Sequence, residues 1–175
     1  NIYLYYYNMK GGKAIASGSA GCVFKPALLC EGDTDRKKDY ITKVMYNYNA
    51  EAELKEMKMV TDVLKDIKDN EKYFLANNIT KCHPNNMDAG DLKGRKEKCS
   101  GALDKYMSDS KFMEQINKNL ITGINIPFGG KDLNDTVNVN MTSKTFMNVN
   151  SGIIRLIKNG IVEFNKRKLL HLDVK

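Results

Sequence analysis

Tryptophan is absent from this 175-residue chain, proline occurs three times, histidine twice and cysteine four times. So little proline and no glycine repeat exclude a collagen-like or proline-rich rod. No apolar run approaches the roughly 18 residues of a membrane-spanning helix, so none is predicted. Cys22, Cys30, Cys82 and Cys99 are too few and too widely spaced for a small disulfide-stapled secreted scaffold, and they read as free thiols in a reducing compartment. The opening stretch Asn1 to Tyr7 is aromatic and has no basic leader, long apolar core or small-residue cleavage site, which argues against a secretory signal.

What is present is ordinary globular material: 42% hydrophobic and 28% charged residues, which excludes a disordered tail. The formal charge of +7 is spread along the chain and diluted by 19 asparagines, so it does not mark a nucleic-acid surface. The chain begins without Met and runs to His171-Leu172-Asp173-Val174-Lys175 in the middle of a motif, so a fragment of a longer protein is expected.

Residues 13 to 28 form two strand-like runs around a glycine-bearing turn, and Tyr40 to Met45 is a third strand after a polar hairpin. A helix is predicted from about Ala50 to Lys68, with Asn49 as N-cap and Glu51 in its first turn. Leu54, Met57, Val60, Val63, Leu64 and Ile67 mark its buried stripe. Tyr73 to Leu75 is a short strand candidate, and the polar stretch from about 77 to 110 reads as a dispensable surface insertion. Leu120 to Phe128 reads as a central strand closed by Pro127 and Gly129-Gly130. A second helix, Gly152 to Phe164, carries Ile153, Ile157, Ile161 and Phe164 on one face.

Three constellations carry chemistry. Ala16-Ser17-Gly18-Ser19-Ala20-Gly21 offers backbone N–H groups that can approach phosphate oxygens without side-chain obstruction, though such a turn is often only a hairpin. Lys43 sits among alternating apolar strand residues, and Glu53 falls in the middle of the helical stripe; a carboxylate there is costly unless paired, and Lys43 is the obvious partner. In the third, Asp173 could act as a base toward a hydroxyl, with Lys175 offsetting charge on a transferring phosphoryl group. Cys82, His83 and Cys99 lack Cys-x2-Cys spacing and a fourth ligand, so a structural role is expected rather than zinc.

In this order the motifs resemble the eukaryotic-type protein kinase family. Gly18 to Val23 resembles the end of the glycine-rich loop, Ile41-Thr42-Lys43 the lysine strand, Glu53-Leu54-Lys55 the αC segment, Ile124 to Leu133 the fifth strand and hinge, and His171 to Lys175 the catalytic loop. Gly21-Cys22-Val23-Phe24-Lys25-Pro26 and Pro127-Phe128-Gly129-Gly130-Lys131-Asp132-Leu133 are similar to serine/threonine kinase-like proteins of large DNA viruses. The resemblance implies an α+β, protein-kinase-like fold. Residues 1–128 would form an antiparallel five-stranded N-lobe with the αC helix and the polar insertion. Residues 129–175 would form the hinge and the start of a helical C-lobe.

It further implies ATP-dependent phosphoryl transfer to Ser or Thr of a protein, in the cytoplasm or, for a viral protein, the host cytoplasm or virion. Neither membrane nor nucleic acid is expected as a partner. Ile15, Val23, Thr42 and Ile126 would enclose the adenine, and backbone groups around Pro127, Phe128 and Gly129 would bind its edge. Backbone N–H groups from Ser17 to Gly21 would cover the phosphates. Lys43, held by Glu53, would contact them, Asp173 would orient the hydroxyl, and Lys175 would lie near the γ phosphate. Mg²⁺ would be held by residues following Lys175, and the fragment alone would be inactive. Two features depart from the family pattern: Ala16 stands where a glycine is expected, and Leu172 replaces the arginine that pairs with a phosphorylated activation loop, implying activity without that switch. The alternatives are a pseudokinase or nucleotide-binding scaffold and a kinase-fold small-molecule phosphotransferase. Retention of Lys43, Glu53, Asp173 and Lys175 together disfavours the first, and Lys175 disfavours the second.

Overall fold

The computed structural model describes residues 12–18, 20–85, 87–99, 103, 106–130, 133, 137 and 141–169. Ser19 and the motif His171 to Lys175, with Leu172 and Asp173, lie outside them, as do Tyr3 to Tyr7. The fold is α+β. Strands β1 (Lys13–Ser17), β2 (Cys22–Lys25), β3 (Tyr40–Tyr46), β4 (Thr80–Cys82) and β5 (Ile121–Pro127) form one antiparallel sheet in the order β1-β2-β3-β5-β4. β5 lies inside the sheet, between β3 and β4.

Residues opposite each other in an antiparallel pair share a face, and neighbours along a strand alternate. Val23, Lys43, Ile124 and Lys81 therefore form a row on one face, while Phe24, Thr42, Asn125 and Thr80 form the next row on the other. Helix α1 (Asn47–Leu64) covers the first face, where Met45, Ala50 and Ile124 pack with Leu54, Ile79 and Ile126. It starts two residues before the predicted Asn49 cap, directly after β3, and the Asn47 N–H donates to the Leu120 carbonyl. It ends at Leu64, four residues early, and Asp69 then takes a left-handed conformation.

The second face overturns the reading of 77–110 as a surface insertion. This stretch holds β4, α2 (Ala89–Leu92) and α3 (Arg95–Lys98) and runs into α4 (Asp109–Asn117); its Cys99, Leu103 and Met107 pack with Phe112 and Ile116 of α4 on Ala14, Phe24 and Val44. Two of its charges are structural. Asp91 is fully buried: it accepts two hydrogen bonds from Arg36 at 2.7 Å, one from the Gly12 N–H and one from the Asp88 N–H. Arg95, also buried, donates to Asp109 and to the Met107 carbonyl and lies over the Phe112 ring.

The free-thiol reading is overturned as well. Cys22 is bonded to Cys99 and Cys30 to Cys82, and no described cysteine is free. Sequence spacings of 77 and 52 hid pairs that the fold brings together, so the case for a reducing compartment from free thiols falls too. No helix among the described residues is long and apolar enough to cross a membrane.

The chain divides into two compact units, 1–57 with 78–128, and 58–77 with 129–175; the sequence reading had placed 58–77 with the first. In the second unit, Leu64, Ile67 and Phe164 form a core with Val60, Phe74 and Leu169. Tyr73 to Leu75 is not a strand there, because Phe74 stacks on Phe164 at 5.4 Å instead of joining the sheet. Helix α5 (Ser143–Arg155) begins nine residues before the predicted start, where Thr142 Oγ1 accepts from the Thr145 N–H. A π-helical stretch, Leu156–Ile161, separates it from α6 (Val162–Lys166). That wider turn shifts the phase of the helix, which leaves Ile157 exposed while Phe164 is buried.

Candidate functional site

The candidate site is built on the first face of the sheet, within the first unit. Period two on β3 turns Lys43 toward α1, and Glu53 lies on the turn of α1 that meets it. The Lys43 ammonium donates to both Glu53 carboxylate oxygens, at 2.8 and 2.7 Å. Both side chains keep partial access to solvent, at 24% and 19%, so the pair is reachable by a ligand yet desolvated enough to resist separation. A second, weaker contact joins α1 to the sheet: Lys81 of β4 lies 3.4 Å from Glu51, with both groups exposed.

The turn between β1 and β2 closes by a 2.8 Å hydrogen bond from the Gly18 N–H to the Gly21 carbonyl. The Gly18 N–H is thereby removed from the donors expected to cover phosphates. Gly21 is buried against Lys43; a Cβ there would lie 2.9 Å from Lys43 Cγ and 3.1 Å from the Val44 carbonyl oxygen. This close approach favours glycine at 21, since any side chain there would press on the lysine stem.

Ala16 and Val23 share the Lys43 face, and Ile126, paired with Ile41, lies on it two residues beyond Ile124. Ile15 is the extra residue of a bulge in β1 and is 36% exposed, and Ser17 and Gly18 are exposed. Ala20 is half-buried.

Thr42 does not join these residues. It is fully buried on the opposite face, where its Oγ1 accepts from the Leu28 N–H at 2.8 Å and donates to Asn125 Oδ1 at 2.6 Å. The residue sequence reasoning missed is Ile41, two before Lys43 and so on its face; the period of the strand was signal enough. Phe128 follows β5, and its N–H is already donated to the Asp39 carbonyl at 2.8 Å. Its ring carries the Lys25 ammonium 3.1 Å from the centroid.

Cys82 and Cys99 are spent in disulfides, so zinc has no ligand set with His83. Among the described residues no three His, Cys, Asp or Glu side chains are grouped as a metal site, and Mg²⁺ enters no step derived from them. The second unit holds a polar cavity of about 500 Å³ bordered by Asp66, Lys68, Asp69, Tyr73, Asn159, Glu163 and Arg167. Arg167 already bonds Glu163 and the Asp66 carbonyl there. No protein-family model, curated protein or solved structure matches the chain.

Proposed function

We propose that this chain is the nucleotide-binding portion of an ATP-dependent protein serine/threonine kinase, its first unit having the organisation of a kinase-like small lobe. The observation that carries the reading is the two-pronged Lys43–Glu53 pair beneath the glycine turn. Lys43 keeps a third N–H for a phosphate oxygen, and Glu53 fixes the direction in which it points. Ala16, Val23, Ile41 and Ile126 supply an apolar surface beside that charge on which a purine can lie. The α and β phosphates of ATP would meet Lys43. Asp173 would orient the hydroxyl of a protein Ser or Thr, and Lys175 would lie near the γ phosphate, roles that come from the motif resemblance. Mg²⁺ would be bound by residues other than those described.

Two measurements test the reading. ATP binding to the chain should weaken by about tenfold or more in Lys43→Met, the worth of a hydrogen bond from a charged group. Transfer from labelled ATP to a mixed Ser/Thr substrate should fall by about 10²-fold or more in Asp173→Asn. ATP binding that ignores Lys43→Met would sink the nucleotide site; binding without transfer would leave the scaffold reading.

A further inference from the structure

The base-binding end of the first face carries a feature that the kinase reading does not use. Lys25 lies two residues beyond Val23 on β2, hence on the same face, and its ammonium rests on the Phe128 ring. Lys25 is half-buried, and among the described residues no carboxylate lies within ion-pair distance of it. An ammonium over a ring face is attracted by the ring's quadrupole, but its remaining N–H groups still seek acceptors.

The backbone beside it is short of donors. Pro127 has no N–H, and the Phe128 N–H is committed to the Asp39 carbonyl. A base edge brought to this end of the sheet therefore finds no backbone donor at 127 or 128. Lys25 stands at that place.

An ammonium donates only, so it discriminates between purines. Guanine presents two adjacent acceptors, O6 and N7, whereas adenine presents N7 beside an amino group that is itself a donor. We propose that Lys25, held against Phe128, reads the base of the bound nucleotide, and that the site accepts GTP as well as it accepts ATP. This rests on the nucleotide-binding reading above and adds the residue that sets the choice of base.

The test is the ratio of the GTP and ATP dissociation constants, measured with the whole chain by displacement of a fluorescent nucleotide, for wild type, Lys25→Met and Lys25→Arg. Circular dichroism of each variant confirms folding. The wild-type ratio is expected near or below one. Lys25→Met should raise it by about tenfold through loss of GTP affinity, and Lys25→Arg, which keeps the donor, should restore it to within about threefold. A wild-type ratio above about ten, or one that Lys25→Met leaves unmoved while ATP still binds, overturns the proposal alone. Failure of the wild-type chain to bind either nucleotide overturns it together with the nucleotide site itself.

Discussion

The two faces of the sheet are covered in opposite ways. On the first, a single helix lies over Met45 and Ile124 and is clasped by the Lys43–Glu53 pair, both members of which still meet solvent. On the second, three short helices and a long apolar cluster seal the strands, with Asp91 and Arg95 buried in ion pairs, the Cys22–Cys99 disulfide joining cover to sheet and Cys30–Cys82 tying the segment after β2 to β4. A charge kept partly wet can change partners, and one buried among fixed donors cannot. The first face therefore has room for chemistry, and the second holds the fold that positions it.

Deleting Asp88 to Glu97 would break that division most severely. It removes α2 and most of α3 with both Asp91 and Arg95, and leaves the buried Gly12 N–H and Met107 carbonyl unpaired at about 1–3 kcal/mol each, against a typical stability of about 5–15 kcal/mol. The expected outcome is loss of the cooperative thermal transition. A folded protein with an unchanged midpoint would show that the second face needs no cover.

Adjacent residues sharpen the same comparison. Thr42→Val strips the Leu28 N–H and Asn125 of their partner and should cost about 1–3 kcal/mol in denaturant unfolding, while changing ATP affinity by no more than about twofold. Lys43→Met should do the reverse, weakening ATP by about tenfold or more. Equal losses of affinity in the two variants would erase the distinction between the faces.

Gly21→Ala probes the point where the turn touches the pair. Its methyl group would push on the Lys43 stem and the Val44 carbonyl, for a loss of about 1 kcal/mol in stability and of a few-fold in ATP affinity. Unchanged affinity would mean that Lys43 repacks freely.

The smallest effect belongs to the surface of the second-face cover. The Lys118 ammonium, hydrogen-bonded to Glu114, holds that carboxyl below its usual range. Because the folded value is the lower one, the pair's contribution is present above the unfolded carboxyl pKa and fades as pH falls through the folded value. Both groups are exposed, so Glu114→Gln should lower the melting point slightly at pH 7 and not at all in strong acid. An equal difference at both pH values would trace the change to packing instead.

Strands β1, β2, β3 and β5, the glycine turn and the pairing of Lys43 with Glu53 were legible in the sequence, because each depends on local pattern: two on β3, 3.6 on α1; β4, three residues long inside a polar stretch, was not. Thr42 was misplaced although the same period puts it opposite Lys43. The second-face cover was illegible for a different reason. Leu103, Met107, Phe112 and Ile116 are scattered among Lys, Asp and Ser, and Asp91 and Arg95 look like solvated charges until Arg36 and Asp109 arrive from elsewhere in the chain. The π-helical stretch carried no signal that periodicity could read.

The two cystines have a topological consequence. The Cys30–Cys82 link is nested inside the Cys22–Cys99 link, so the exposed stretch Glu31 to Asp35 lies within both rings, and Lys93 and Lys96 lie within the outer one. A protease that cuts once in each place produces three polypeptides, and every one of them remains tied to the amino-terminal piece. On a non-reducing gel such doubly nicked protein migrates as one covalent body, and only a thiol reagent separates it into three bands.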